Sequence, residues 1–169
     1  MYLTLNRLES EINGYVLIEC PPCRRMVNID GKNYYLSFPK MLFRINYIIS
    51  KSKKFTYDFS RNFFYDGEFI YNVPLYNINI SGLVCLGNKN ILSAESVEDL
   101  ITKYLNTYWK CEFSSEDDYC VSWDSYSGLD MKSFKKWQEK TRADSNWIPS
   151  ASDLVKSNYS SIFFKKTIR

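Results

Sequence analysis

The chain contains no histidine at all. That absence excludes a Ser-His-Asp triad, a Cys-His pair and any zinc site that uses imidazole. A general base must then be a carboxylate, a lysine, a tyrosine, a cysteine or water. Neither sign of charge dominates. Lys and Arg total 22, Asp and Glu total 19, and the net charge is +3, too little for a nucleic-acid footprint. The lysines at Lys51, Lys53 and Lys54, and at Lys132, Lys135 and Lys136, read as solvated faces. No apolar stretch approaches the ~20 residues of a membrane span. Residues 1–6 lack the charged start and apolar run of a signal peptide. Five cysteines make an odd count without framework spacing, which argues against a secreted disulfide scaffold. A cytoplasmic protein with reduced thiols, without cofactor or metal, is the expectation.

Aromatic residues are abundant instead, at 17% of 169 residues. They supply large buried areas, and each buried tyrosine hydroxyl needs a partner. Together with 45% apolar residues, they allow a sizeable core in one domain spanning 1–169. The abundance of Tyr, Phe, Ile, Asn and Lys is that of products of AT-rich genomes.

Residues 1–71 read mainly as an antiparallel β-meander. Segments 15–20, 25–29, 34–36, 42–49, 55–59 and 69–71 are apolar, β-branched or aromatic, with alternation clearest at Phe43, Ile45, Tyr47 and at Phe55, Tyr57, Phe59. Asp30-Gly31 is a hairpin-turn signal, Asp66-Gly67 marks another turn, and Pro21-Pro22 breaks the strand at 15–20. Residues 72–92 lose all periodicity. A helix is predicted over 93–110, with Ser96 as N-cap and Asp99 three residues on. Its apolar face comprises Val97, Leu100, Ile101, Tyr104, Leu105, Tyr108 and Trp109. The acidic, Ser-rich stretch 114–130 reads as a loop. Weaker helical patterns at 131–141 and 151–164 make 131–169 a C-terminal helical extension.

Three sites carry possible chemistry. Cys20-Pro21-Pro22-Cys23 is a C-x-x-C, but it lies between strands rather than at a helix start, as a thioredoxin pair requires. A zinc site would need two more ligands from Cys85, Cys111 and Cys120. Glu116, Asp117 and Asp118 could hold a cation or orient a lysine, or form a solvated loop. Cys85 follows a short extended run and precedes Gly87. It is either a reactive thiol on a loop or a small buried apolar residue.

Residues 74–109 decide what Cys85 resembles. Asn77-Ile78, then Gly82-Leu83-Val84-Cys85-Leu86, then the helix to Trp109 resemble the active-site segment of ubiquitin-conjugating enzymes. The step from Asn77 to Cys85 has that family's spacing. Leu75 and Tyr76 stand where the family has His and Pro, and Gly87-Asn88 replace its usual continuation. The Val-Cys-Leu-Gly run is closer to divergent prokaryotic relatives, the family of PRTRC system protein B. Phe113, Trp137 and Trp147-Ile148-Pro149 echo that family's later landmarks. The resemblance implies an α+β fold with a ubiquitin-conjugating-enzyme-like antiparallel β-meander, an active-site-type loop and helices. It implies that Cys85 carries a ubiquitin-like modifier as a thioester, received from an activating enzyme. Asn77 would donate to the developing oxyanion or brace the loop. The alternative is a non-catalytic interaction or structural module of a phage or plasmid system that retains the fold alone. Protein partners are expected, not nucleic acid or membrane.

Overall fold

In a computed structural model, residues 2–8, 11–87, 92–115 and 133–159 are described. They form a mixed α+β structure, a curled antiparallel sheet accompanied by a smaller sheet and two α-helices. The larger sheet contains β1 (Tyr2–Leu8), β2 (Glu11–Cys20), β5 (Met41–Ile49), β6 (Phe55–Tyr65) and β7 (Ile70–Tyr71), in that order, with β8 (Ser93–Ala94) also on β6. The smaller sheet orders β4 (Lys32–Phe38), β3 (Cys23–Ile29) and β9 (Glu112–Phe113). Helix α1 is Val97–Lys110 and helix α2 is Phe134–Ala143.

The meander expected over 1–71 is thus interrupted. β2 pairs directly with β5, and the β3–β4 hairpin belongs to the other sheet. Pro21-Pro22 is the corner between them, since proline cannot continue a ladder. On the far side, β3 pairs in parallel with β9. The Asp30-Gly31 turn forms as predicted. Both residues have positive φ, 48° and 74°, as a two-residue hairpin turn with strand-matching twist demands.

Helix α1 begins later than 93, after β8. Ser96 caps it, accepting from the Asp99 N–H, while the Asp99 carboxylate accepts from the Glu95 N–H. Val97, Leu100, Tyr104 and Tyr108 are buried against the larger sheet. The two tyrosine hydroxyls reach β6: Tyr104 shares a 2.8 Å hydrogen bond with Ser60, and Asn62 donates to Tyr108 at 2.5 Å. Burial holds both hydroxyls well above their ordinary pKa, so they act as neutral fixtures of the core.

Helix α2 covers the open edge of β4. The Ser37 N–H donates to Thr141 and the Tyr35 N–H to Gln138, while the Trp137 ring N–H donates to the Ser37 carbonyl. Covering an edge in this way removes a template for further strand pairing. The helix expected over 151–164 is not present at 151–159. A single 3-10 turn, Ala151–Asp153, gives way to extended chain that pairs with β7. There Asn72 N–H donates to the Val155 carbonyl and Ser157 N–H to that of Ile70. Pairing at a sheet edge outweighs a weak helical propensity. Residues 160–164, and the acidic run 116–118, lie outside the described residues.

Candidate functional site

The loop after β7 folds back along β6. Val84 N–H donates to the Ser60 carbonyl and Asn62 N–H to that of Gly82. Within the loop, Ile78 bridges Val84. The Asn79 side chain accepts from the N–H groups of Ser81 and Leu83 and from the Ser81 hydroxyl. Cys85 N–H donates to the Asn77 carbonyl at 2.7 Å. Residues 77–85 therefore form a tight hairpin, and Cys85 leaves it on a backbone fixed from both sides.

Asn77 holds this hairpin to the smaller sheet. It has φ +65° and is 4% exposed. Its side-chain amide donates to the Glu112 carbonyl and accepts from the Ser114 N–H, both at 3.0 Å. Both ends of the amide are thus occupied by the chain around β9. The motif spacing brings Asn77 and Cys85 together through the backbone, while the Asn77 side chain is engaged elsewhere. Leu75 is buried in the core. Tyr76 packs edge-on against Phe134 at 5.4 Å, so these two positions join the core and α2.

Cys85 is half-buried and free. It lines a cleft of about 240 Å³ with Tyr57, Asp58, Phe59, Leu92 and Thr107. The cleft lies where β6 is irregular. Between Ile45 and Tyr47 of β5 there is one residue, whereas Asp58 and Phe59 of β6 fill the same interval. That is a β-bulge, which bends its strand and redirects side chains. On the outer edge, β6 is met by residues 82–84 on one side of the bulge and by Leu92 and β8 on the other.

Tyr57 extends into the adjoining core, where its hydroxyl is 3.1 Å from that of Ser60. Burial, more than its charged neighbours, raises its pKa despite that hydrogen bond, so it is a neutral group beside the thiol. Among the described lining residues there is no lysine or arginine, and Asp58 is the carboxylate. Asp58 was not singled out in the sequence. Alternation marked Tyr57 and Phe59 as the informative positions, and a bulge leaves no local signature between them.

The other cysteines are elsewhere. Cys111 is buried, its thiol donating to the Tyr108 carbonyl. Cys20 and Cys23 are half-buried and free at the corner between the sheets. Among the described residues no group of three or more metal-ligating side chains occurs, and no helix is long and apolar enough to cross a membrane. No protein-family model, curated protein or solved structure matches the chain.

Proposed function

We propose that the chain is a divergent ubiquitin-conjugating-enzyme-like protein that carries a ubiquitin-like modifier as a thioester on Cys85. The observation supporting this reading is a free, half-buried thiol at a cleft, presented by a hairpin whose backbone is hydrogen-bonded to its own sheet. A thiol that must meet a large activated partner needs such a fixed and reachable position. In the first step the Cys85 sulfur attacks the carbonyl carbon of the modifier's thioester on the activating enzyme. A new S–C bond forms, the old one breaks, and the departing thiolate takes the proton. In the second step an amine attacks the same carbonyl, an amide forms, and the Cys85 thiol is regenerated. Asp58, exposed at the cleft, attracts the incoming ammonium group, which gives one proton to water before it attacks as the neutral amine. Asn77 supports the reaction by bracing the hairpin.

The test uses the full chain with a ubiquitin-like protein and activating enzyme encoded in the same genome, plus ATP. A reductant-sensitive adduct is expected, absent from Cys85→Ala. Asp58→Asn should leave the adduct intact and slow its discharge to lysine. Wild type and Cys85→Ala behaving alike would refute the proposal.

The second reading, a non-catalytic interaction module, is favoured by the Asn77 amide. Its bonds to residues 112 and 114 hold it away from the thiol, and among the described residues lining the cleft there is no side-chain amide to meet a developing oxyanion. Asn77→Gly keeps the backbone freedom and removes the brace. Under the catalytic reading it loses adduct formation in proportion to loop stability. Under the second reading it changes stability alone, with no adduct in either protein.

A further inference from the structure

Helix α1 has two flanks. One, at Thr107, closes the Cys85 cleft. The other faces the corner between the sheets, and a groove of about 520 Å³ runs along it. Volumes of this order are those of ligand-binding sites. Ile101 and Leu105 line it from the helix, and Cys20 and Cys23 from the corner. These are the half-buried part of the helix's apolar stripe and the C-x-x-C that the Cys85 site does not use. Burial is the main cause that pushes both thiols above their ordinary pKa, against the opposing pull of the neighbouring Arg25 guanidinium, which hydrogen-bonds Cys23. The thiols are neutral at neutral pH, and Ile101 and Leu105 form the apolar part of the groove.

Next to Cys23 the groove becomes cationic. Arg25 lies over the Trp109 ring, 5.4 Å from its centre, and Lys110 follows on the helix. Both are exposed. The ion pairs of the described residues are Lys40 with Glu19, Lys54 with Glu95 and Lys103 with Asp99. Arg25 and Lys110 take part in none of them, so among the described residues two positive charges at the groove have no carboxylate partner. Ile101 and Lys110 are nine residues apart on the helix, about 14 Å at 1.5 Å per residue. An extended segment of about four residues spans that length.

We propose that this groove binds a short extended acidic segment of a partner protein, with an aliphatic side chain at Ile101 and Leu105 and carboxylates at Arg25 and Lys110. Apolar burial at Ile101 and Leu105 and charge complementarity towards Lys110, further along the same helix, fix its direction. The proposal is independent of chemistry at Cys85.

Alkylation of the groove cysteines tests it, with Cys85 as the internal control in the same molecule. The probe is acetyl-Leu-Ser-Glu-Glu-amide at millimolar concentration, compared with acetyl-Leu-Ser-Lys-Lys-amide and with decanoate. Iodoacetamide labelling is followed site by site by mass spectrometry. The acidic peptide should slow labelling of Cys20 and Cys23 several-fold and leave Cys85 unchanged. Arg25→Ala, an exposed position, also removes the hydrogen bond to Cys23, so protection is read as the ratio of labelling rates without and with peptide in each variant. That ratio should fall to one while the folded protein's circular dichroism is preserved. Equal protection by the lysine peptide, no protection by the acidic peptide, or protection by decanoate alone would each overturn the proposal. The last result would make the groove a site for anionic amphiphiles.

Discussion

Two glycines of the cysteine loop share a backbone conformation and differ in surroundings. Gly82 has φ +75° and Gly87 has φ +71°, a region that disfavours side chains by about 1–2 kcal/mol. A Cβ at Gly82 would lie 2.3 Å from the ring of Phe63, whereas one at Gly87 would meet nothing within 4 Å. Phe63 is fully buried, so its ring has little room to yield. Gly82→Ala should therefore add an overpacking cost of about 1–3 kcal/mol to the strain. Gly87→Ala should show the strain alone. Urea melts of the two variants check this contrast. Equal losses would mean that the hairpin does not press on β6 as described. The loss of periodicity over 72–92, with Gly82 and Gly87 in it, marked this loop in the sequence, because glycine at a chain reversal is a local signal. The role of Asn77 was legible only as a choice between brace and donor. Its partners are 35 and 37 residues away in sequence, and no local signal encodes such a pairing.

At the scale of elements, the features that local chemistry writes were readable. The Asp30-Gly31 turn and the Ser96 cap each depend on neighbours within a few residues. The apolar face of α1 was also readable, and its buried and half-buried rows now separate the core from the groove. Non-local pairing was not readable. The parallel β3–β9 contact, the transfer of the β3–β4 hairpin to a second sheet, and the edge pairing of residues 155–157 all join segments that lie far apart in sequence or are set by a corner. β1 was missed for a related reason: only Leu3 and Leu5 alternate there before polar residues intervene. The helix itself offers a test separate from function. Leu100 is 0% exposed, and truncating such a residue removes burial and leaves a cavity, so Leu100→Ala should cost about 2–5 kcal/mol. Glu98 lies on the exposed side of the same helix, and Glu98→Ala should stay within about 0.5 kcal/mol of wild type. Denaturant melts of both, with equal slopes, decide it. A stable Leu100→Ala would remove α1 from its place over the sheet, and with it both the cleft and the groove.

For the whole molecule, one core joins the two sheets and both helices. Val27 and Leu36 of the hairpin, Phe43 and Phe64 of the larger sheet, Leu100 of α1 and Trp137 of α2 all belong to it. The cysteines sample this structure at different depths. Cys111 is 2% exposed inside the core, while Cys20, Cys23 and Cys85 are half-buried at its margins. Alkylation requires a reachable thiolate. In a Cys120→Ser background, a brief pulse of iodoacetamide on the native protein should modify Cys85, Cys20 and Cys23 and spare Cys111. Cys111 should react only through unfolding, slowed by roughly the unfolding constant, a factor on the order of 10³–10⁸ for small domains. The raised pKa of Cys20 and Cys23 adds a sign for pH. Their thiolates form above the ordinary thiol range, so their labelling should keep climbing with pH beyond the point where an unperturbed cysteine has levelled off. Mass spectrometry of each cysteine-containing peptide, over a pH series and then in denaturant, measures all of this in one experiment. Rapid native labelling of Cys111 would show that the two sheets do not share a closed core. A plateau for Cys20 and Cys23 at ordinary thiol pH would show that burial at the corner between the sheets does not outweigh the Arg25 charge beside them, and that the corner is open to water.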